Sequence, residues 1–207
     1  MNIPIIFDDE WFLVVDKPAG LLVIPSPKKE SRTLTSILND EAKVKGWSFR
    51  FHPCHRLDRE TSGVTLFAKG KAAQKKMMDE FQNKKVTKDY FALVHGKVDS
   101  SGEIRFPIEG KTALTRFKLL KSFPLFSAVE VFPATGRTNQ IRLHFKEMGH
   151  PLVGETKFAF RKDFSLKAKR LCLHAWGIKF EHPFTGSQIA IEAPIAADIE
   201  DFVAKHN

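Results

Sequence analysis

The chain of 207 residues is long enough for one domain with a substantial core, and its 43% hydrophobic and 28% charged residues are typical of a water-soluble globular protein. No apolar run approaches the roughly 18 residues of a membrane-spanning helix. The first ten residues also lack the basic and then apolar layout of a signal peptide. Neither a transmembrane helix nor a signal peptide is therefore expected.

The net charge of +9 indicates a polyanionic partner. Excess lysine and arginine attract phosphates, and nucleic acid is the commonest partner of that kind, although a basic protein can also use its charge for solubility. Only two cysteines, Cys54 and Cys172, are present. No disulfide framework is therefore expected, and a reducing cytoplasm is the predicted location.

Apolar spacing in the first half of the chain predicts short strands and two helices. A hairpin is expected from two apolar runs around the turn residues 16–20, and Ser31 or Thr33 is expected to cap the first helix, which Gly46 ends. The second helix is amphipathic and rich in lysine. The predicted elements are strands at 11–15, 21–24 and 64–68 and helices at 31–46 and 69–85.

The spacing of apolar residues in the second half of the chain likewise predicts strands and helices. A turn is expected at 100–102, and residues 155–170 form a basic, poorly patterned stretch that predicts a surface loop or short helix. The predicted strands are 87–98, 115–120, 127–132, 171–180 and 188–193, and the predicted helices are 137–149 and 195–205. Many strands joined by short turns, with a few helices, predict an α+β fold with a mixed, largely antiparallel sheet.

The stretch 55–63, His-Arg-Leu-Asp-Arg-Glu-Thr-Ser-Gly, places Asp58 on a loop at the entrance to the strand 64–68. Asp58 stands between Arg56 and Arg59, and nearby positive charge favours an ionised carboxylate. Such a group is a candidate nucleophile, base or electrostatic anchor. The alternative is an ordinary loop aspartate in a surface ion pair.

Two further residues are candidates for chemistry. The chain has 19 Phe but one Tyr, Tyr90, which suggests that its hydroxyl is needed. In the helix predicted from Arg137 onward, Arg142 lies on a different face from Ile141 and Phe145 and can point out of the core. An arginine there could hold a carboxylate or phosphate by paired hydrogen bonds, or be an ordinary surface residue.

Other enzyme classes fit the sequence poorly. His-Arg-Leu-Asp departs from the kinase catalytic loop because Leu57 separates Arg56 from Asp58, and no glycine-rich phosphate loop is present. The Gly-x-Ser-x-Gly elbow of serine hydrolases is absent. A zinc site could be assembled from histidines and the two cysteines, but their spacings do not match known zinc motifs, so no metal is expected.

These stretches resemble the RluA-type family of RNA pseudouridine synthases. The resemblance covers nearly the whole chain, and it is specific because several motifs occur together in the family's order. The matching segments are 15–21 (VDKPAGL), 55–63 (HRLDRETSG), 88–96 (KDYFALVHG), 136–144 (GRTNQIRLH), 149–154 (GHPLVG), 173–175 (LHA) and 182–186 (HPFTG).

The resemblance implies the pseudouridine synthase fold, a mixed sheet flanked by helices with a central RNA-binding cleft. It also implies that specific uridines in ribosomal or transfer RNA are isomerised to pseudouridine after base flipping, by exchange of the C1′–N1 bond for a C1′–C5 bond. No cofactor or metal is needed, because nothing is oxidised and no group leaves the product.

The same resemblance implies roles for four residues. Asp58 matches the essential aspartate, whose proposed roles are attack on the sugar, attack on the base, or removal of a sugar proton. Arg142 matches the arginine that pairs with this aspartate, and Tyr90 the tyrosine that packs against the target base. Arg56 matches a residue that fills the space of the flipped uridine, a sensible role for a cation that can stack.

The sequence departs from the family pattern at Asn139, where many members have His, and a local adjustment is expected there. Residues 1–207 are expected to form a single catalytic domain without the small N-terminal RNA-binding domain of many relatives. The lysine helix and residues 155–170 are then the natural RNA-binding surfaces. A monomer with no obligate protein partner and no membrane association is expected. The alternative function is an RNA-binding or chaperone-like protein on the same fold.

Overall fold

The computed structural model describes residues 3–28, 30–159 and 166–207. Within these ranges the chain forms ten strands and four helices. They are, in chain order, β1 (Ile5–Asp8), β2 (Phe12–Lys17), α1 (Leu34–Val44), β3 (Phe51–Pro53), β4 (Ser62–Lys69), α2 (Lys71–Gln82), β5 (Thr87–His95), β6 (Ser101–Ile104), β7 (Thr115–Ser122), β8 (Phe126–Pro133), α3 (Gln140–Glu147), β9 (Leu173–Glu181), β10 (Gln188–Glu192) and α4 (Ala197–Lys205).

The first of two compact units comprises residues 1–87 and 177–193. Strand β2 lies between β1 and β4, β3 also pairs with β4, and β10 pairs with the second half of β9, all antiparallel. A buried apolar cluster from these strands and α2 forms the core of this unit. It includes Phe12, Val14, Leu66, Ala68, Met77, Ile178 and Phe180.

The second unit comprises residues 88–176 and 194–207. Its strands β5, β8, β7 and β6 are neighbours in that order and pair antiparallel. The core of this unit joins β5 and β8 to α4. Its buried residues include Phe91, Leu93, Phe126, Val153, Cys172, Ile199 and Phe202.

The predicted α+β class with largely antiparallel pairing is therefore confirmed. Helix α1 begins as expected, because the Thr33 hydroxyl accepts a hydrogen bond from the Ser36 N–H (3.2 Å) while the Ser36 hydroxyl accepts one from the Thr33 N–H (2.9 Å). Gly46, just after the helix, has a positive φ of 70°. No helix among the described residues is long and apolar enough to cross a membrane.

The predicted strand at 21–24 is wrong, and so is the hairpin. Leu22 and Val23 are buried, but their carbonyls accept hydrogen bonds from the N–H groups of Leu34 and Thr35 at the start of α1 (2.8 and 3.1 Å). The segment is a loop because its backbone groups cap a helix instead of pairing with β2. Strand β2 finds its partners in β1 and β4.

The predicted turn at 100–102 is also wrong, since Ser101–Ile104 forms β6 against β7. The turn was predicted because serine and glycine, which are common in turns, stand at the start of this strand. Gly102 is needed there because a Cβ would collide with the ring of Phe117, its partner on β7. The short strands β1 and β3 were likewise not predicted, as three or four residues carry too little periodicity.

In the second unit, the segment 151–155 is held by backbone hydrogen bonds from two sides. The Val153 N–H donates to the Leu93 carbonyl of β5 (2.8 Å), and the Val153 carbonyl accepts from the Cys172 N–H (2.9 Å). Gly154 has φ = 81°, and a Cβ on it would overlap the carbonyl of Arg170. Only glycine fits this junction, which fixes the residue that follows.

Replacing Gly154 by Ala is expected to lower the free energy of unfolding by more than about 3 kcal/mol, because positive φ and backbone overlap act together. Gly186→Ala is the matched control: its φ is 72°, but a Cβ there meets no atom within 4 Å. The control should lose only about 1–2 kcal/mol. Urea unfolding of both variants measures the difference, and equal losses would contradict the close packing at Gly154.

Candidate active site

The four predicted site residues are divided between the two units. Arg56 and Asp58 lie in the first unit on the loop between β3 and β4, and Tyr90 on β5 and Arg142 on α3 lie in the second. Arg56 is exposed and Asp58 half-buried, whereas Tyr90 and Arg142 are 7% and 4% exposed. The surroundings of each are fixed by contacts within its own unit.

The loop that carries Asp58 is held through its backbone. The Asp58 carbonyl accepts from the Thr61 N–H (3.2 Å), and the side chain of Leu57 is buried. At the start of the loop, Nε2 of His55 accepts from the Leu66 N–H of β4 (3.1 Å), and this bond assigns the proton of the neutral ring to Nδ1. The loop is thus anchored at several points around Asp58.

Lys17, at the end of β2, is the main cross-link of this loop. Its side chain is fully buried, and Nζ donates to the carbonyls of Pro18 (3.0 Å), Leu21 (2.6 Å) and Arg59 (3.3 Å). A buried ammonium requires such acceptors, because removal from water is otherwise costly. Lys17 therefore ties the turn after β2 to the residue next to Asp58, a role that the sequence analysis missed.

Arg59, one of the two arginines that flank Asp58 in sequence, pairs with Glu30 (Nη2 to Oε1, 2.7 Å). Backbone N–H groups of Ser26 and of Glu30 itself, then the Ser26 hydroxyl and Arg59, lower the pKa of Glu30 to about 2. The charge of Arg59 is therefore balanced by Glu30. The two flanking arginines are both exposed, but they are not equivalent around Asp58, because only Arg59 is paired with Glu30.

Tyr90 lies on β5, where its backbone is opposite Val131 of β8. Lys88 is two residues earlier and so points to the same face of β5. Burial lowers the pKa of Lys88. A lysine with a lowered pKa beside a candidate catalytic tyrosine is itself a candidate for the site, and sequence periodicity gave no sign of it.

Arg142 is bound by Glu155 in a buried ion pair. Its Nε and Nη2 donate to the two carboxylate oxygens at 2.7 and 2.8 Å, the paired geometry that suits a guanidinium and a carboxylate. Nη1 donates to Oδ1 of Asn139 (3.1 Å), and the ring of Phe158 lies 4.9 Å from Cζ. The guanidinium is therefore fixed in position and orientation.

Glu155 is stabilised as an anion by its own loop. Oε1 also accepts from the backbone N–H groups of Thr156 (2.9 Å), Lys157 (2.8 Å) and Phe158 (3.3 Å). Burial acts to raise the pKa of Glu155, but the bonds from Arg142 and from these N–H groups outweigh it, so the pKa is lowered from its ordinary 4.5. The carboxylate stays ionised and Arg142 keeps its counter-charge.

Helix α3 begins at Gln140, later than the predicted Arg137, because Asn139 adopts a left-handed conformation with φ = 54°. The buried side chain of Gln140 bonds to Thr135, to the Arg137 N–H and to Leu114 and Thr115 at the start of β7. These bonds fix the first turn of α3. The local adjustment expected at Asn139 takes the form of the hydrogen bond to Arg142.

Two predictions about charged residues need correction. Arg142 was expected to point out of the core, but it is buried, because Glu155 neutralises it there. The stretch 155–170 was predicted as basic surface, yet Glu155 is buried and Arg170 pairs with Asp198 at 2.6 Å. Residues 160–165 of that stretch lie outside the described residues.

Neither cysteine is suited to nucleophilic chemistry or metal binding. Burial raises the pKa of both Cys54 and Cys172 to about 12, so both remain protonated thiols. His174 is fully buried in β9. Over the described ranges, no group of three or more histidine, cysteine, aspartate or glutamate side chains is placed to hold a metal ion.

Comparison with known families shows the class of protein to which this chain belongs. The sequence model of the family described as RNA pseudouridylate synthase matches residues 11–147, more than half of the chain, including Asp58, Tyr90 and Arg142. The chain belongs to this family. The predicted RluA-type resemblance and the enzyme class, an isomerase of RNA uridines, are thereby confirmed.

Individual relatives agree with this membership. The RNA pseudouridine synthase YlyB of Bacillus subtilis is 35% identical over 98% of this chain and 72% of its own length. The dual-specificity RNA pseudouridine synthase RluA of Pasteurella multocida is 34% identical over 93% of both chains. The structure of human RNA Pseudouridylate Synthase Domain Containing 4 covers 98% of this chain and 92% of its own with a TM-score of 0.83; at 23% identity it supports the fold alone.

Replacing Lys17 by Met keeps the volume but removes the donor from three carbonyls. We expect the free energy of unfolding to fall by about 2–3 kcal/mol, and formation of pseudouridine to slow because the Asp58 loop is no longer tied to β2. Lys118→Met, at an exposed position of β7, should change stability by less than about 0.5 kcal/mol. A Lys17→Met protein as stable and active as the control would contradict the anchoring role.

Replacing Glu155 by Gln leaves Arg142 buried without its counter-charge, which should cost about 3–5 kcal/mol of stability at pH 7. Because the pKa of Glu155 is lower in the folded than in the unfolded chain, the wild-type advantage is present above pH 4.5 and is lost as pH falls below it. Urea unfolding from pH 3 to 7 should show the two proteins converging at the acidic end. A constant difference would contradict the ion pair.

Proposed function

We propose that this protein converts uridine to pseudouridine in structured ribosomal or transfer RNA, with Asp58, Tyr90 and Arg142 as catalytic residues and Arg56 as the base-flipping residue. The observation that carries the proposal is that the stretches holding all four residues fall, in order, inside the region that matches the family. The fixed geometry of Arg142 supports the proposal independently of the family match.

The reaction needs a carboxylate more than any other group. The N1–C1′ bond breaks, the base turns, C5 bonds to C1′, the proton on C5 departs and N1 gains one, so atoms and electrons balance without a cofactor or metal. Asp58 serves as the carboxylate that attacks the sugar, attacks the base or removes a sugar proton. Its support is the motif match together with the anchoring of its loop by the buried side chain of Leu57, the Thr61 N–H and the Lys17 ammonium.

Arg142 is proposed as the cation that keeps Asp58 ionised and oriented. Glu155 binds the edge of the guanidinium formed by Nε and Nη2. A second carboxylate would use the opposite edge, formed by Nη1 and Nη2, because an arginine offers five donors in a fixed plane. Fixing one edge therefore orients the other, which is the preorganisation that a catalytic ion pair requires.

Tyr90 is proposed to pack against the target base, with its hydroxyl assisting removal of the C5 proton. Its place at the centre of β5 gives the ring a rigid support, as a stacking platform needs. Arg56 is proposed to occupy the space that the flipped uridine leaves. Its exposure leaves it accessible to RNA, and a guanidinium can both stack on bases and bind phosphate.

The proposal includes the setting in which the enzyme acts. The RNA is bound through exposed cations such as those of α2, and the protein acts in the cytoplasm as a monomer without an obligate protein partner. Buried, reduced Cys54 and Cys172 suit a reducing compartment. Light scattering of the purified protein tests the monomer, and a mass of two or more chains would contradict it.

The test of function is to incubate the protein with total RNA from cells that lack it and to map pseudouridine by carbodiimide labelling. Wild type should introduce pseudouridine at defined positions. Asp58→Asn, which preserves the shape of the side chain but removes its charge, should slow the reaction by roughly 10³-fold or more while still binding RNA. Tyr90→Phe tests the hydroxyl in the same assay and should be slowed by a smaller factor.

Equal pseudouridine maps for wild type and Asp58→Asn would contradict the catalytic proposal. Absence of new pseudouridine from both maps, together with retained RNA binding, would favour an RNA-binding or chaperone-like protein on the same fold. A variant that binds no RNA would instead make Asp58 a binding residue.

A further inference from the structure

An open groove of about 570 Å³ lies in the first unit, and part of its lining directly precedes the Asp58 loop in sequence. It is bordered by the segment 48–53, which leads into β3, and by the start of α2 at Gly70 and Lys71. Phe49, Arg50 and His52 contribute side chains to its lining. None of these residues belongs to the motifs that define the proposed active site.

One exposed aromatic ring packs on Phe49, a residue that lines this groove. Trp47 is 38% exposed and stacks on Phe49, with ring centroids 5.3 Å apart and planes at 24°, and Phe51 supports both rings edge-on. Packing on two rings holds Trp47 in place, and its exposed part lies beside the Lys45 ammonium, which is 4.9 Å from the ring centroid. A fixed, accessible ring is the element on which unpaired nucleobases stack in single-strand binding proteins.

The groove is also cationic. Arg50 and Lys71 are both exposed, and neither forms an ion pair with any described residue. By contrast, the lysines that lie over the rings are paired, Lys45 with Glu41 and Lys69 with Asp8, both at 2.6 Å. Two cations facing one groove without a carboxylate favour binding of an anion.

The positive charges of Lys71 and Arg50 also act on His52. Burial, followed by the charges of Lys71 and then Arg50, lowers the pKa of His52. The helix α2 also starts at the groove, and its N-cap Gly70 supplies no side-chain hydrogen bond to the first N–H groups. A Cβ on Gly70 would meet no atom within 4 Å, so the backbone at the helix start faces open space. Both features add to the attraction for a phosphate.

We propose that this groove binds an unpaired segment of the RNA substrate outside the target nucleotide, with one base stacked on Trp47 and the adjoining phosphate held between Arg50 and Lys71. The ring and the two cations together match the alternation of base and phosphate along a single strand, which neither feature does alone. The inference rests on the proposed function in taking RNA as the substrate, but it requires none of the catalytic residues.

The test measures binding of a fluorescein-labelled ten-nucleotide RNA of unstructured sequence by anisotropy. Trp47→Ala should weaken binding by about fivefold or more, and Trp47→Phe, which keeps an aromatic face, should retain most of the affinity. Arg50→Gln/Lys71→Gln should weaken binding and reduce the slope of log affinity against log salt by about 0.7 for each phosphate that the variant no longer neutralises.

The matched charge control is Lys118→Gln/Lys121→Gln, which removes two exposed cations from β7 of the other unit. This variant should bind the probe nearly as wild type. A second probe, the same backbone without bases, should bind wild type and Trp47→Ala equally, since it has nothing to stack. Thermal unfolding of each variant confirms that the protein compared is folded.

Equal binding of the ten-nucleotide probe by wild type, Trp47→Ala and Arg50→Gln/Lys71→Gln would overturn the groove proposal and leave the catalytic proposal standing. A loss of the same size in the Lys118→Gln/Lys121→Gln control would also overturn it, because charge in general would explain the binding. Failure of wild type to bind or modify any RNA would overturn the proposed function itself.

Discussion

The buried ion pair between Arg142 and Glu155 is the constraint on which the second unit's candidate site depends. Neither charge could remain in the interior alone, because an unpaired buried charge costs several kcal/mol. Both side chains must therefore be buried together. Helix α3, whose first turn is fixed by Gln140, positions Arg142. The junction at Gly154, which tolerates no side chain, positions Glu155.

Stability alone does not explain this pair. Replacement of a buried ion pair by apolar side chains of similar volume is often neutral or stabilising. What the pair supplies is orientation: Glu155 is held by three backbone N–H groups and in turn fixes the plane of the guanidinium. A fixed cation suits a catalytic carboxylate, because no free energy is then needed to reorganise it during the reaction.

The first unit uses the same device with a different cation. Lys17 is fully buried, and its ammonium is satisfied by three carbonyls, one of them on Arg59 beside Asp58. Each unit thus has a hydrogen-bonded buried cation at its candidate site: Arg142 itself in the second unit, and Lys17 beside the Asp58 loop in the first. In both cases the loop geometry follows from the demand that every buried donor find an acceptor.

The sequence predicted what is periodic or local. The strand at 64–68, the helix capped by Thr33 and the position of Asp58 on a loop all follow from side-chain patterns within a few residues of one another. The family's motifs identified the candidate catalytic residues. Residues whose role depends on distant partners were missed, since nothing near Glu155 in sequence indicates that Arg142, 13 positions earlier, will meet it.

The wrong predictions have the same cause, namely that the deciding contacts come from residues outside the local pattern. The run 21–24 is apolar enough for a strand, but its carbonyls are taken by α1 and Lys17, which local patterning does not reveal. Arg142 was expected to point out of the core because helical spacing places it on a different face from Ile141 and Phe145. The alternation of aromatic and polar residues at 47–51 was visible in the sequence, but its meaning depends on Lys71, which reaches the same groove from α2.

The central claim is that Glu155 acts on the reaction by orienting Arg142. A double-mutant cycle on the single-turnover rate of pseudouridine formation tests it most directly, using proteins shown to be folded. Glu155→Gln should slow the wild-type enzyme by about tenfold or more but should cause no further loss in an Arg142→Gln background, where there is no guanidinium to orient. The same fractional loss in both backgrounds would contradict the account.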